Sequence, residues 1–298
     1  MEAVPCDLCR ADAPEPLFRR ADRFHGQDFQ LVRCRRCGLI YLNPRPTAAE
    51  LGAFYPEDYE AYRPAAAIAA DWHIQQALAR QLAAVGRYRQ PPGALLDVGC
   101  ATGEFLHVAH RGGWRVTGIE WLEVIAAEAR QRYGLTVFAG ELEAAPLPDH
   151  AFDVITLWDV LEHVPSPRRT LTTCRRLLKP DGVLLLSIPN LASFDRYLFG
   201  ARWIGWDAPR HFTLFTGVTL TRLLHETGFA PPHPHSFLGA KGTFLLSLDN
   251  VLAAHPRWHG LRRLYPLVST VLWPYRQLAY RLQRAPIIAY AARPAYLL

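Results

Sequence analysis

From residue 94 onward, short apolar runs alternate with amphipathic stretches. The run Ala94-Leu95-Leu96-Asp97-Val98 is apolar except for one acid near its end. That pattern predicts a strand buried on both faces, as in a parallel sheet. Comparable runs at 114–120, 135–139, 152–158 and 183–188 predict further strands. The stretches between them read as helices. One opens at Gly103 and ends at Gly112-Gly113, and a second covers 122–133 and stops at Gly134. Ser166-Pro167 pairs an N-cap with proline at the first helical position, opening a third helix that runs to 178. Asp181-Gly182 predicts a turn, and Thr216 caps a fourth helix that ends at Gly228. Strand–helix alternation predicts a parallel sheet with helices on both faces. Ligands in such sheets bind beyond the carboxyl ends of the strands.

The first 93 residues follow another pattern. Runs at 29–33 and 39–42 predict two short strands, and 71–85 predicts a helix with Ile74, Leu78, Leu82 and Val85 on one face. Cys6-x-x-Cys9 and Cys34-x-x-Cys37-Gly38 flank the first of these strands. Two such knuckles can present four thiolates tetrahedrally, the closed donor set that structural zinc favours, and iron is possible on the same ligands. Residues 1–46 therefore predict a zinc-ribbon-like module in which metal supplies part of the folding free energy. A DNA-reading finger does not fit, because histidines at finger spacing and a basic recognition helix are both missing. Residues 47–93 form a connector, stiffened by Asn43-Pro44-Arg45-Pro46 just before it.

Charge is uneven. The chain has 298 residues and a net charge of +6, but residues 251–298 carry seven arginines and no acid, leaving the first 250 residues at −1. A nearly neutral body argues against a broad nucleic-acid surface. No apolar run approaches the roughly 20 residues that a membrane-crossing helix needs. With no basic-then-apolar segment at the N-terminus, the expected compartment is the cytoplasm.

The chemistry converges on Asp97 to Glu120. Asp97 closes the first strand, Gly99-x-x-x-Gly103 turns into a helix, and Glu120 ends the second strand. Glycines at such a turn let backbone approach a ligand closely. An acid at the end of the second strand suits both ribose hydroxyls of a nucleoside. The spacing departs from the G-x-G-x-x-G of dinucleotide sites. Asp97 and Glu104 around the turn would repel a pyrophosphate and suit a sulfonium or ammonium centre. Trp121 follows the ribose acid and is placed to stack on a base. On these residues the chain resembles the class I S-adenosylmethionine-dependent methyltransferases. With the C-x-x-C-G knuckle and the Asn-Pro-Arg-Pro connector, it resembles a bacterial subgroup with an N-terminal zinc module, acting on sugars, polysaccharides and natural products.

That resemblance implies a Rossmann-like, mostly parallel seven-stranded sheet over 94–298, closed by a hairpin of strands near 233–238 and 287–292. It implies S-adenosylmethionine as cofactor and zinc as a structural ion on Cys6, Cys9, Cys34 and Cys37. It assigns Glu141 and Leu142 to the adenine, and Asp159 to the methionine end of the cofactor. It sets the tyrosine segment Tyr55, Tyr59 and Tyr62 over the cofactor, with Tyr59 toward the substrate. It also places Pro209-Arg210-His211 beside the substrate cleft, where Arg210 would hold an anionic group. His163 and His211 are the candidate general bases. The expected acceptor is a small molecule: a sugar, nucleotide-sugar, glycan or natural-product intermediate. O-methylation is favoured over C-methylation, because the chain has no room for a long C-terminal substrate domain. The alternatives are an NAD-dependent oxidoreductase or epimerase, or a non-catalytic zinc-ribbon adaptor. Between the hairpin strands lies an insertion at about 239–284 with Trp258, Tyr265, Trp273, Tyr275 and Tyr280 among arginines. It is expected to meet an anionic membrane or a lipid-linked substrate, at the inner membrane face.

Overall fold

The computed structural model describes residues 1–55, 71–235, 241–253, 257, 260, 263, 265 and 271–295. Along the chain come β1 (Pro14–Ala21), β2 (Asp28–Cys34), β3 (Ile40–Leu42), α1 (Ala48–Leu51), α2 (Trp72–Gly86), β4 (Ala94–Val98), α3 (Glu104–Arg111), β5 (Arg115–Glu120) and α4 (Glu123–Tyr133). Then follow β6 (Val137–Ala139), β7 (Phe152–Trp158), α5 (Pro167–Leu177), β8 (Leu178–Pro189), α6 (Phe194–Phe199), β9 (Thr213–Leu214) and α7 (Gly217–Glu226). The last are β10 (His233–His235), α8 (Lys241–Ala253), α9 (Trp273–Arg281) and β11 (Ile287–Ala292). Tyr59, Tyr62 and Trp258 lie outside the described residues.

The chain divides into two compact units. The first comprises residues 1–54, 188–220 and 234–288, and the second 55–187, 221–233 and 289–298. The linear boundaries predicted above, at 46 and 93, are not those of the units. Within the first unit, β1, β2, β3 and β9 form a four-stranded sheet in that order. The prolines of β1 hid it from pattern reading, but β1 is the edge strand with a register shift between Pro16 and Phe18, where proline is tolerated. β9 has only two residues, too few to show alternation, yet Leu214 pairs with Ile40. The cysteine module therefore does not depend on metal alone. Leu31, Leu39 and Leu42 are fully buried or nearly so, as are Trp203, Phe212 and Leu214 from the 188–220 segment of the same unit.

The second unit is built on a seven-stranded sheet of order β10-β11-β8-β7-β4-β5-β6. The pairs β4–β5, β4–β7, β5–β6 and β7–β8 are parallel. This is the Rossmann-like arrangement that the alternation predicts. Leu95, Leu96, Val154, Ile155, Val183 and Leu184 are fully buried at the centre, as a sheet covered on both faces requires. Helix ends follow their sequence signals. The Ser166 hydroxyl accepts from the Arg169 amide at 3.3 Å, Thr216 Oγ1 accepts from the Thr219 amide at 3.1 Å, and Gly134 ends α4 in the left-handed region. One expected turn is absent: β8 runs on through Asp181-Gly182.

Candidate functional site

The carboxyl ends of β4, β5 and β7 bring together most residues of the opening motif. Asp97 pairs in register with Gly118 and with Thr156. Its buried carboxylate accepts a 2.6 Å hydrogen bond from the Thr156 hydroxyl. Desolvation raises the Asp97 carboxyl to about 7, against the pull of that bond. Glu120 is equally buried. Its two oxygens accept from the amides of Ala101 and Leu122, each at 3.1 Å. Desolvation raises its pKa, and those amides pull it back. The turn glycines have distinct tasks. Gly99 has φ +71°, and a Cβ there would lie 2.6 Å from Val160 Cγ2. Gly103 has φ +86° and lies so close to Leu135 and Ala129 that a Cβ would sit 2.9 Å from Leu135 Cδ1.

These residues fit a bound nucleoside. The backbone at Gly99 has no room for a side chain, and the acid ending β5 is already oriented by two amides. Each carboxylate oxygen keeps a second lone pair for a hydroxyl. Trp121, next in sequence, exposes its ring, and the Tyr55 ring stands edge-on to it at 5.5 Å. After β6, Gly140 donates from its amide to the Glu120 carbonyl at 2.9 Å. Glu141 is exposed there, at the start of a short 3-10 turn that buries Leu142. Glu104 is not the free charge that its place at the turn suggests. Glu104 lies 3.4 Å from Arg132 and accepts from Thr102 at 2.6 Å, so it contributes little bare negative charge. Asp97 and Glu120 carry the acidic character.

At the end of β7 the chain turns sharply. Asp159 has φ +56°, in the left-handed region that side chains other than glycine enter at a cost of about 1–2 kcal/mol. Ser187 holds it: the Asp159 amide donates to Ser187 Oγ at 2.9 Å, and that hydroxyl donates to Asp159 Oδ1 at 2.8 Å. Desolvation raises the Asp159 carboxyl to about 6. Strain of this kind, held in place by its surroundings, marks functional sites. Glu162 is buried, and its Oε2 has no hydrogen-bond partner among the described residues. Burial, then the nearby Asp159, pushes its pKa well up. His163 Nδ1 lies 3.0 Å from the Tyr55 hydroxyl. Pattern reading singled out neither Thr156, Ser187 nor Glu162 for these roles. Thr156 and Ser187 are polar interruptions of otherwise apolar strands, which was the available signal.

In the first unit the side chains of Cys6, Cys9, Cys34 and Cys37 cluster, with all four sulfurs within 4.8 Å of one another. Cys6 and Cys37 are 3.4 Å apart, and Cys9 and Cys34 are 3.5 Å apart. Zinc–sulfur bonds of about 2.3 Å in a tetrahedron separate sulfurs by roughly 3.8 Å, so the donor set fits zinc. The knuckles match each other in backbone. Arg10 donates to the Cys6 carbonyl at 2.8 Å and Gly38 to the Cys34 carbonyl at 2.9 Å. Both residues have positive φ, +60° and +78°.

Arg210 corrects an expectation. Its side chain is fully buried rather than open to a substrate anion. Nε and Nη2 donate to Asp207 at 2.9 and 2.7 Å, and Nη1 donates to Asp22 at 2.8 Å and to the Phe54 carbonyl at 2.9 Å. The guanidinium is a structural centre of the first unit. His211 is buried as well, with Nδ1 2.8 Å from the Gly205 carbonyl. Burial holds its pKa below the ordinary histidine value, opposed by Asp207.

The parallel sheet and the acid–glycine turn at its carboxyl edge define a Rossmann-like protein built for a nucleoside cofactor. Residues 71–233 match the sequence profile of a methyltransferase domain, and the chain belongs to that family. Among curated relatives, a probable S-adenosylmethionine-dependent methyltransferase of Mycolicibacterium smegmatis is 32% identical over 45% of this chain and 51% of its own length. A ubiquinone biosynthesis O-methyltransferase of Actinobacillus pleuropneumoniae is 36% identical over 37% of this chain and 52% of its own. The chain thus spans about half the length of the curated relatives it matches. Among solved structures, the [4+2]-cyclase SpnF superposes with a TM-score of 0.56 at 24% identity, over 84% of this chain and 97% of that one. An S-adenosylmethionine-dependent methyltransferase from Archaeoglobus fulgidus gives 0.50 at 18%, over 72% and 93%. At these identities the likeness is one of fold.

Proposed function

We propose that this protein is an S-adenosylmethionine-dependent methyltransferase that methylates a hydroxyl of a small-molecule acceptor, and that the cysteine cluster holds a structural zinc. The observation that carries the reading is the Asp97–Gly99–Glu120 edge, with Asp159 turned into the left-handed region beside it. The bound cofactor would supply a methyl group activated on a sulfonium. Glu120 would accept from the ribose hydroxyls while its amide partners hold it in place. Trp121, Glu141 and Leu142 would meet the adenine. Asp159, kept by Ser187, would face the positively charged methionine end. His163 would take or orient the acceptor's hydroxyl proton. Positioning of the two reactants accounts for much of the rate in such a displacement.

The O-methyltransferase relatives support oxygen as the reacting atom, and the acceptor class is proposed as a sugar, nucleotide-sugar, glycan or natural-product intermediate. Titration calorimetry tests the cofactor. S-adenosylhomocysteine should bind and NAD should not, and Glu120→Ala should weaken binding by about 100-fold, as for lost charge-assisted hydrogen bonds. Binding of NAD instead would return the oxidoreductase reading. Methyl transfer from labelled S-adenosylmethionine to a panel of hydroxylated acceptors then tests the reaction.

A further inference from the structure

The described helices include none long and apolar enough to cross a membrane. The first unit nevertheless exposes large apolar side chains on two adjoining elements. Tyr197 and Leu198 on α6, and Val271, Trp273, Leu278 and Leu282 in and around α9, are each more than half exposed. These are six of the twelve large apolar side chains exposed among the described residues. Surface apolar residues scattered singly need no explanation, whereas grouped ones mark contact sites. α6 and α9 are tied together. The Tyr275 hydroxyl donates to Asp195 Oδ1 at 2.6 Å, the Phe194 and Tyr275 rings lie 6.1 Å apart, and the Phe194 amide donates to the Arg284 carbonyl at 3.0 Å.

The charge on these elements has one sign. Asp195 is the single acid on α6, and it is buried under Tyr275. α9 has none, as does the whole sequence from 251 to 298. Arg202, Arg281 and Arg284 are exposed at or shortly after the C-terminal ends of these elements. We propose that α6 and α9 form a docking surface for an anionic lipid bilayer, with Leu198, Leu278 and Leu282 entering the acyl boundary and the arginines meeting lipid phosphates. Marginal apolar insertion and basic attraction reinforce each other in peripheral binding. Tryptophan and tyrosine settle at the headgroup level. A nucleic acid would satisfy the arginines and leave the leucines in water. A second copy meeting the same face by two-fold symmetry would set like charges against each other. The inference does not depend on the methyl-transfer reading.

The full chain should co-sediment with phosphatidylcholine vesicles that contain phosphatidylglycerol, and about tenfold more weakly with phosphatidylcholine alone. Leu278→Asp/Leu282→Asp should lose the binding, and Arg202→Glu/Arg281→Glu should lose the preference for anionic vesicles. Thermal unfolding midpoints report that the variants are folded, and Leu198→Ser/Trp273→Ser serves if the first pair is not. Equal partition between the two vesicle types would overturn the proposal. So would unchanged binding by folded variants, or a mass drop of Leu278→Asp/Leu282→Asp by light scattering, which would assign the face to self-association.

Discussion

The Tyr55 hydroxyl stands 3.0 Å from Nδ1 of His163. If His163 takes the acceptor's proton through Nε2, its own hydrogen sits on Nδ1 and is donated to the Tyr55 oxygen. Tyr55 is placed to hold His163 in that tautomer, with Nε2 open toward the acceptor. The tautomer of a histidine is set by the partner of its other nitrogen. Tyr55→Phe keeps the ring against Trp121 and removes only this bond. Long-range nitrogen–proton spectra of labelled protein should show His163 shifting to mixed tautomers in the variant. Turnover should fall by roughly tenfold with cofactor affinity little changed, in line with a hydrogen bond worth about 1 kcal/mol at a reacting group. Identical His163 nitrogen shifts in the two proteins would deny Tyr55 this role.

Cofactor affinity should depend on pH through Asp97. Its carboxyl is raised to about 7 by desolvation, with Glu120 adding to the shift. The fold thus loses stability as pH rises from the ordinary carboxylate range toward 7, since the unfolded chain ionises first. The penalty is absent below about 4 and complete above about 7, where ionisation of Asp97 costs roughly 4 kcal/mol. A ligand whose hydrogen-bond donors favour the ionised form recovers part of it. The dissociation constant of S-adenosylhomocysteine should therefore tighten by about tenfold between roughly pH 6 and 8. Asp97→Asn should flatten the profile. A flat profile for the unaltered protein would contradict the ionisation argument.

Metal analysis of purified protein should find one zinc per chain. Cys34→Ser should lose it and lower the thermal midpoint, and a chelator should do the same to the parent. Cobalt substitution should give thiolate-to-metal charge-transfer bands, which four free thiols cannot. Because β3 pairs with β9 and the Leu42 amide donates to the Phe212 carbonyl, metal loss should loosen the module without unfolding its whole unit. The matched knuckles add a finer test. Arg10 occupies the left-handed position that Gly38 fills in the other knuckle. Gly38→Arg should destabilise by about 1–2 kcal/mol, while Arg10→Gly should be tolerated.

Legibility in the sequence tracked the range of the interactions involved. β4, β5 and β7 and the turn between Asp97 and Gly103 are local patterns, and they stand where periodicity and glycine spacing put them. The cysteine cluster was readable because thiolate ligands need fixed short spacings. What escaped was set by contacts distant in sequence. β9 joins a sheet whose other strands all lie in the first 42 residues, through the pair Ile40–Leu214. The bond between Tyr55 and His163 spans 108 positions. Nothing in the local sequence of either residue marks the other. Arg210 failed for a related reason. A loop arginine beside a histidine resembles an anion clamp until its acids, one of them Asp22, arrive from elsewhere.

Those acids make Arg210 a sensitive position of the first unit. Four hydrogen bonds tie it to Asp207, Asp22 and the Phe54 carbonyl, with no exposed surface. Removing the cation would leave Asp22 and Asp207 buried without it, which typically costs 3–5 kcal/mol or about that for a broken buried pair. Arg210→Met should therefore unfold the first unit or lower its midpoint sharply. Arg210→Lys should rescue little, because an ammonium cannot reproduce the fork toward Asp207. The acid side has a pH signature. Despite desolvation, the hydrogen bonds and charge of Arg210 lower the Asp207 carboxyl to about 2. A depressed carboxyl contributes stability in full above its unfolded value near 4, and that contribution is lost as pH falls toward 2. On that scale it amounts to about 2 kcal/mol. Acid titration of the parent should show this loss between roughly pH 4 and 2, and Asp207→Asn should remove it from the profile while lowering stability at neutral pH. A parent midpoint that stays level over that acid range would show that the Arg210 network holds nothing together.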